Sequence, residues 1–128
     1  MNLFIYLATV SEKGRHFLDS ARRLAEGINV EVFETKSGLV KRLRQPKEGP
    51  SVTILFDPGR EDLAGLDVIR QFLANIPLLL VLSDQDPETL ALSHRLLPSY
   101  ITYVDSDLSQ LLAVVKKLLS TGQGAGNN

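Results

Sequence analysis

Five runs of strand length carry apolar residues at nearly every position: LFIYLA from Leu3, INVEVFE from Ile28, SVTILF from Ser51, IPLLLVL from Ile76 and YITYV from Tyr100. After each run the period changes. Phe17, Leu18, Ala21, Leu24 and Ala25 recur at three- and four-residue spacings, which predicts a helix with Arg15, Arg22, Arg23 and Glu26 outward and Gly27 closing it. A short second helix is expected with Ser37 as its N-cap, Leu39, Val40 and Leu43 facing in, and Pro46 ending it. The third helix places Leu63, Leu66, Ile69, Phe72 and Leu73 inward. The fourth starts where Asp86 caps and Pro87 takes the first helical position, with Leu90, Ala91 and Leu97 facing the core. The fifth begins near Asp107 and buries Leu108, Leu111, Leu112, Val115, Leu118 and Leu119. Lys116 and Lys117 fall in its last turns, where they complement the helix dipole.

Strands apolar on both faces must be covered on both faces, and amphipathic helices alternating with them supply the cover. The predicted fold is therefore α/β, a flavodoxin-like three-layer sandwich with a five-stranded parallel sheet in order 2-1-3-4-5 and five helices. Ligands of such sheets bind beyond the carboxyl ends of the strands, near the switch between the first and third. Attention falls on the residues just past each run: Ala8 and Thr9, Thr35, Asp57, Ser83, and Val104 with Asp105.

Composition narrows the classes. The chain has 128 residues, one domain's worth, with 44% hydrophobic residues, 23% charged residues and a net charge of -1. That balance favours neither nucleic acid nor an anionic membrane as a direct partner. With no cysteine, disulfides, thiolate catalysis and cysteine-held metals are excluded. The opening MNLFIYLATVSEKG fits neither a signal peptide nor a membrane span, so a cytoplasmic location is expected.

Around Asp57 the pattern becomes specific. An aspartate ends the third strand, Gly65 follows eight residues later, and LDVIR runs from Leu66 to Arg70. In this the segment resembles the receiver domain of two-component response regulators, the CheY-like family, in which that aspartate accepts a phosphoryl group and that glycine opens the third helix. Ser83 falls at the family's switch position, and YIT from Tyr100 and DLSQLLAVVKKLL look like its fifth strand and helix. The resemblance implies a receiver-like domain over residues 1–120, with 121–128 as a flexible tail or linker.

The same resemblance exposes departures. Receivers hold Mg²⁺ with an acidic pair after the first strand, where this chain has Ala8 and Thr9; Glu12 is the nearest acid. A lysine ends the family's fifth strand, and Tyr103 or Val104 stands there instead. The family's proline four residues past the aspartate is replaced by Glu61, while Pro58 follows Asp57 directly. Loss of metal ligands and lysine removes several kcal/mol of transition-state stabilisation, on the order of a thousand-fold in rate. The expectation is a pseudo-receiver, a signalling module independent of phosphorylation, with no enzymatic activity and no cofactor. Mg²⁺ enters only if Asp57 is a working phosphoacceptor, with Glu12 or Asp84 replacing the lost acids. Asp57 has a plainer role open to it as well, bonding backbone N–H groups two residues on in its own turn.

By resemblance, partners meet such a module through helix 4, strand 5 and helix 5, with Arg95, Tyr103, Gln110 and Lys117 as contacts. A sensor kinase, an output domain or a second copy would be the occupant. The rival class is a flavin or small-ligand domain of the same fold, its ligand lying over Thr9, Ser11 and Asp57. Other groups have economical structural explanations. The cluster Lys36, Lys41, Arg42, Arg44 and Lys47 reads as a solvated face, and Asp84, Asp86, Asp105 and Asp107 read as caps and turns rather than a cation site. His16 and His94 lack partners at motif spacing.

Overall fold

The computed structural model describes residues 1–8, 11–24, 26–73 and 75–125. Thr9 and Ala25, named above, lie outside them, as do 126–128 of the expected tail. The strands are β1 (Asn2–Leu7), β2 (Asn29–Phe33), β3 (Ser51–Phe56), β4 (Leu78–Leu82) and β5 (Tyr100–Tyr103). They form one parallel sheet in the order β2-β1-β3-β4-β5, as the alternation predicts.

Alternate residues of the central strands feed two cores. Leu3, Ile5, Val52, Ile54 and Phe56 pack on one face with Phe17 and Ala21 of α1 (Glu12–Leu24) and with Leu111, Leu112, Val115 and Leu119 of α5 (Leu108–Ala125). Phe17 stacks on Phe56 with ring centres 4.9 Å apart, tying α1 to the end of β3. Phe4, Tyr6, Leu55, Leu80 and Leu82 face the other core, closed by α2 (Lys36–Arg44), α3 (Arg60–Gly65), a 3₁₀ helix (Leu66–Phe72) and α4 (Pro87–Arg95). α5 continues to Ala125, past residue 120 where its Gly-rich sequence begins, so Lys116 and Lys117 lie mid-helix rather than in the last turns.

Local chemistry corrects several expectations. Thr35, not Ser37, caps α2, its hydroxyl accepting the N–H of Gly38 at 3.1 Å. The expected third helix is split at Gly65, which is the last residue of α3 and the cap of the 3₁₀ helix that follows. Leu66, Ile69 and Phe72 are spaced by threes, the period of a 3₁₀ turn, and that segment winds accordingly. In α4 the inward face is Thr89, Ser93 and Leu96, whereas Ala91 is exposed and Leu90 only partly covered. Leu97 is 70% exposed, and its backbone is left-handed, with φ 53°. Two small hydroxyl residues pack here because Ser93 donates to the Thr89 carbonyl at 2.8 Å, which removes the cost of burying it.

Arg42, Arg44 and Lys47 of the basic cluster are committed to the fold. Arg42 donates to Glu31 of β2 at 3.0 Å and lies 4.9 Å from the centre of the Phe4 ring; Arg44 covers Phe72 at 5.4 Å. Lys47 donates to the carbonyls of Leu43 and Gln45, closing the end of α2; burial, with Arg42 nearby, pulls its pKa below the ordinary lysine value. Thr53 in mid-β3 is fully buried, and its hydroxyl has no hydrogen-bond partner among the described residues. Thr53→Val keeps the shape and removes that unpaired group. Urea unfolding should show a gain of about 1 kcal/mol; a loss of that size would mean that the hydroxyl is satisfied.

Candidate functional site

The third strand delivers Asp57 to the carboxyl rim of the sheet. The ladder runs one residue past β3, the Asp57 N–H donating to the Val81 carbonyl at 2.7 Å, and the chain then turns through φ 50° at Asp57 itself. Aspartate tolerates this left-handed conformation better than most residues. Pro58 is buried behind it, and Asp57 is half-buried. The self-turn expected for Asp57 is not formed: the N–H of Gly59, two residues on, donates to Asp62 Oδ2 at 3.1 Å. Among the described residues no hydrogen bond reaches the Asp57 carboxylate.

Asp62 is a residue that the sequence reading passed over. Its second oxygen accepts the Tyr6 hydroxyl at 3.0 Å, so one carboxylate closes the first turn of α3 and fastens it to β1. Burial, then the hydrogen bond and charge of Asp62, push the Tyr6 pKa up to about 12. An acid three residues past Gly59 is a capping signal that the sequence does carry; the tyrosine across the sheet is not foreseeable from it.

Arg60 is the second missed residue. Its guanidinium reaches across to the β4–α4 loop, bonding Asp86, Glu88 at 2.9 Å and the Thr89 hydroxyl at 3.2 Å. Asp86 thus sits at the cap position but pairs with Arg60 instead of capping α4; Asp84 takes the local role, accepting the Asp86 N–H at 3.0 Å. That N–H, with the Thr89 hydroxyl and the Arg60 charge, holds the Asp84 carboxyl below the usual carboxylate range. Ser83, at the end of β4, is exposed on this loop.

The other rim residues are also occupied. Asp105 pairs with Lys13, and Asp107 accepts the Ser109 N–H at 3.0 Å, the Ser109 hydroxyl and N–H lowering its pKa. Among the described residues no three acids or histidines gather as a metal site. Ala8 is half-buried against the core that faces α2 to α4, Tyr103 lies against that same core, and Val104 packs against the core under α1 and α5. Glu12 is exposed and lines a groove between α1 and α5 with Lys13 and His16, while His94 is exposed on α4. Ser11, offered to the flavin alternative, accepts the Gly14 N–H at 3.0 Å and serves as a cap for α1. Arg95, Gln110 and Lys117 are exposed.

Solved structures share this fold. A CheY-like response regulator of Mesorhizobium loti is 21% identical, matching 90% of this chain and 95% of its own, with a TM-score of 0.66. A CheY-like receiver domain protein of Methanospirillum hungatei matches at 14% identity over 97% of both chains, with a TM-score of 0.69. The signal receiver domain of a modulated diguanylate cyclase from Desulfovibrio desulfuricans is 19% identical over 95% of both, with a TM-score of 0.61. The chain has the response-regulator receiver fold. No protein-family profile and no curated protein sequence matches it. At this end of the sheet Asp62 and Arg60 fix the loops on either side of Asp57.

The Tyr6–Asp62 bond has a pH signature. Burial first, and the Asp62 bond with it, favour the neutral Tyr6: its folded pKa lies above its ordinary value of about 10, so this contribution to stability is full below pH 10 and is lost as pH rises from 10 to 12. Ultraviolet titration of the tyrosines should show one late phase near pH 12. Tyr6→Phe should abolish it, and Asp62→Ala should move it toward 10; a late phase unmoved by Asp62→Ala would disprove the pairing.

Proposed function

We propose that this chain is a signal-transduction receiver module that works without phosphorylation, through protein contacts. The observation that carries this reading is the commitment of the rim. Tyr103 and Val104, at the end of β5, are uncharged and pack against the two cores, while Arg60, the cation of the Asp57 loop, is bonded to Asp86, Glu88 and Thr89. Phosphoryl transfer to a carboxylate depends on cations placed where charge develops, since the chemistry itself asks for little else. With Ala8 where a metal-binding acid would stand and Asp84 held by its own loop, Asp57 lacks that support.

Signal then resides in the shape of the surface. Arg95, Gln110 and Lys117 are exposed and Tyr103 half-exposed along α4, β5 and α5, a face suited to a kinase, an output domain or another regulatory protein. The solved relatives include a receiver attached to a diguanylate cyclase, which supports an output-coupled role.

Incubation with acetyl phosphate and Mg²⁺ should leave the intact mass unchanged and leave amide exchange across residues 83–90 unaltered. Asp57→Asn should retain partner binding within about twofold. A phosphoryl-sized mass gain that disappears in Asp57→Asn would refute the phosphorylation-independent reading and restore the conventional phosphoacceptor.

A further inference from the structure

The end of the molecule opposite Asp57 carries a groove of about 770 Å³ between the 3₁₀ helix and the end of α4, beneath the starts of β4 and β5. Two of the most exposed large apolar side chains of the described residues stand on it: Val68, 61% exposed, and Leu97, 70% exposed. Leu97 violates a local preference. It follows the C-cap Leu96, its N–H donates to the His94 carbonyl at 3.1 Å, and its φ of 53° is the left-handed conformation that glycine or asparagine takes there. A leucine that is strained and exposed contributes nothing visible to its own fold, and such local violations concentrate at sites kept for another purpose.

We propose that this groove is a self-association surface, closed by a second copy of the same chain across a two-fold axis. The same patch holds both protruding apolar side chains and the recess that could receive them, which is the requirement for an isologous contact. Its charges have the same property. Asp67 and Arg70 line the groove, are each about half exposed and lie 3.9 Å apart, the limit of an ion pair, so both retain capacity for another partner. Across a two-fold axis passing beside this pair, Asp67 of each copy faces Arg70 of the other, with Val68 and Leu97 packed alongside. The contact leaves the Asp57 rim open and is independent of the phosphorylation question.

Sedimentation equilibrium of the full chain across a wide concentration range tests this. Wild type should form dimers, and Leu97→Asn should weaken them at least about tenfold while melting at an equal or higher temperature when both are compared dilute enough to be monomeric, since asparagine suits the left-handed backbone. Asp67→Arg alone and Arg70→Asp alone should each weaken association, and an equimolar mixture of the two should restore it as a heterodimer, because both cross-pairs are then complementary. A wild type that stays monomeric up to about 1 mM would overturn the proposal, as would a dimer indifferent to Leu97→Asn or a charge-swapped mixture that fails to recover.

Discussion

Burial of β1, β3 and β4 on both faces is the constraint from which the other features follow. Their apolar side chains are covered almost completely, and a parallel sheet of that kind is stable only with a helical layer on each side. Burial at roughly 25 cal/mol per Å² of apolar surface makes these strands the largest favourable contribution, and it also fixes their register, because a one-residue slip would exchange the two cores. Chemistry is thereby displaced to the ends of the strands. Asp57 is placed by this geometry: β3 keeps its ladder to β4 as far as the Asp57 N–H, and only then can the backbone turn.

The loops at that rim are held by interactions of a different character. Asp62 satisfies one backbone donor of α3 and the Tyr6 hydroxyl with a single carboxylate, and the tyrosine is buried, so this bond is worth more than a surface contact. Arg60 spans two loops through two carboxylates more than half exposed to water and the buried Thr89 hydroxyl. Screening makes each such pair worth well under about 1 kcal/mol, but three acceptors on one guanidinium share a single entropic cost. The result is a β4–α4 loop with a defined position and a modest barrier to leaving it.

How much of this was legible in the sequence depended on the range of the interactions involved. Strands written as continuous apolar runs, and helices such as α1 and α5 whose apolar residues keep a helical period, were readable because the signal is local and repeated. The inner face of α4 was not, since Thr89 and Ser93 look polar until Ser93 is seen bonding to its own helix and Thr89 to Arg60. The break at Gly65 is hidden for the opposite reason: Leu63, Leu66, Ile69 and Phe72 keep a strict three-residue spacing, which lies close to the α-helical period although it suits a 3₁₀ turn. Thr35 displaces Ser37 as a cap because the helix begins two residues earlier than its apolar residues suggest. At the candidate site, the position of Asp57 could be read from spacing, whereas Arg60 to Asp86 and Tyr6 to Asp62 join residues 26 and 56 positions apart, for which one sequence contains no cue.

The two ends of the sheet pose opposite problems. At the carboxyl end, charged side chains are numerous, yet nearly all of them are spent on neighbours: Asp86 and Glu88 on Arg60, Asp105 on Lys13, Asp84 and Asp107 on backbone N–H groups. A carboxylate already bonded must give up that bond before it can bind a cation, so the abundance of acid there does not amount to a metal site. At the amino end Asp67 and Arg70 are joined only at the limit of contact, and apolar side chains stand beside them uncovered. Capacity for a partner is set by what the fold has left unsatisfied rather than by how many functional groups it displays. By that measure the carboxyl rim is closed around Asp57 but not at its own carboxylate, and the surface around Leu97 is open.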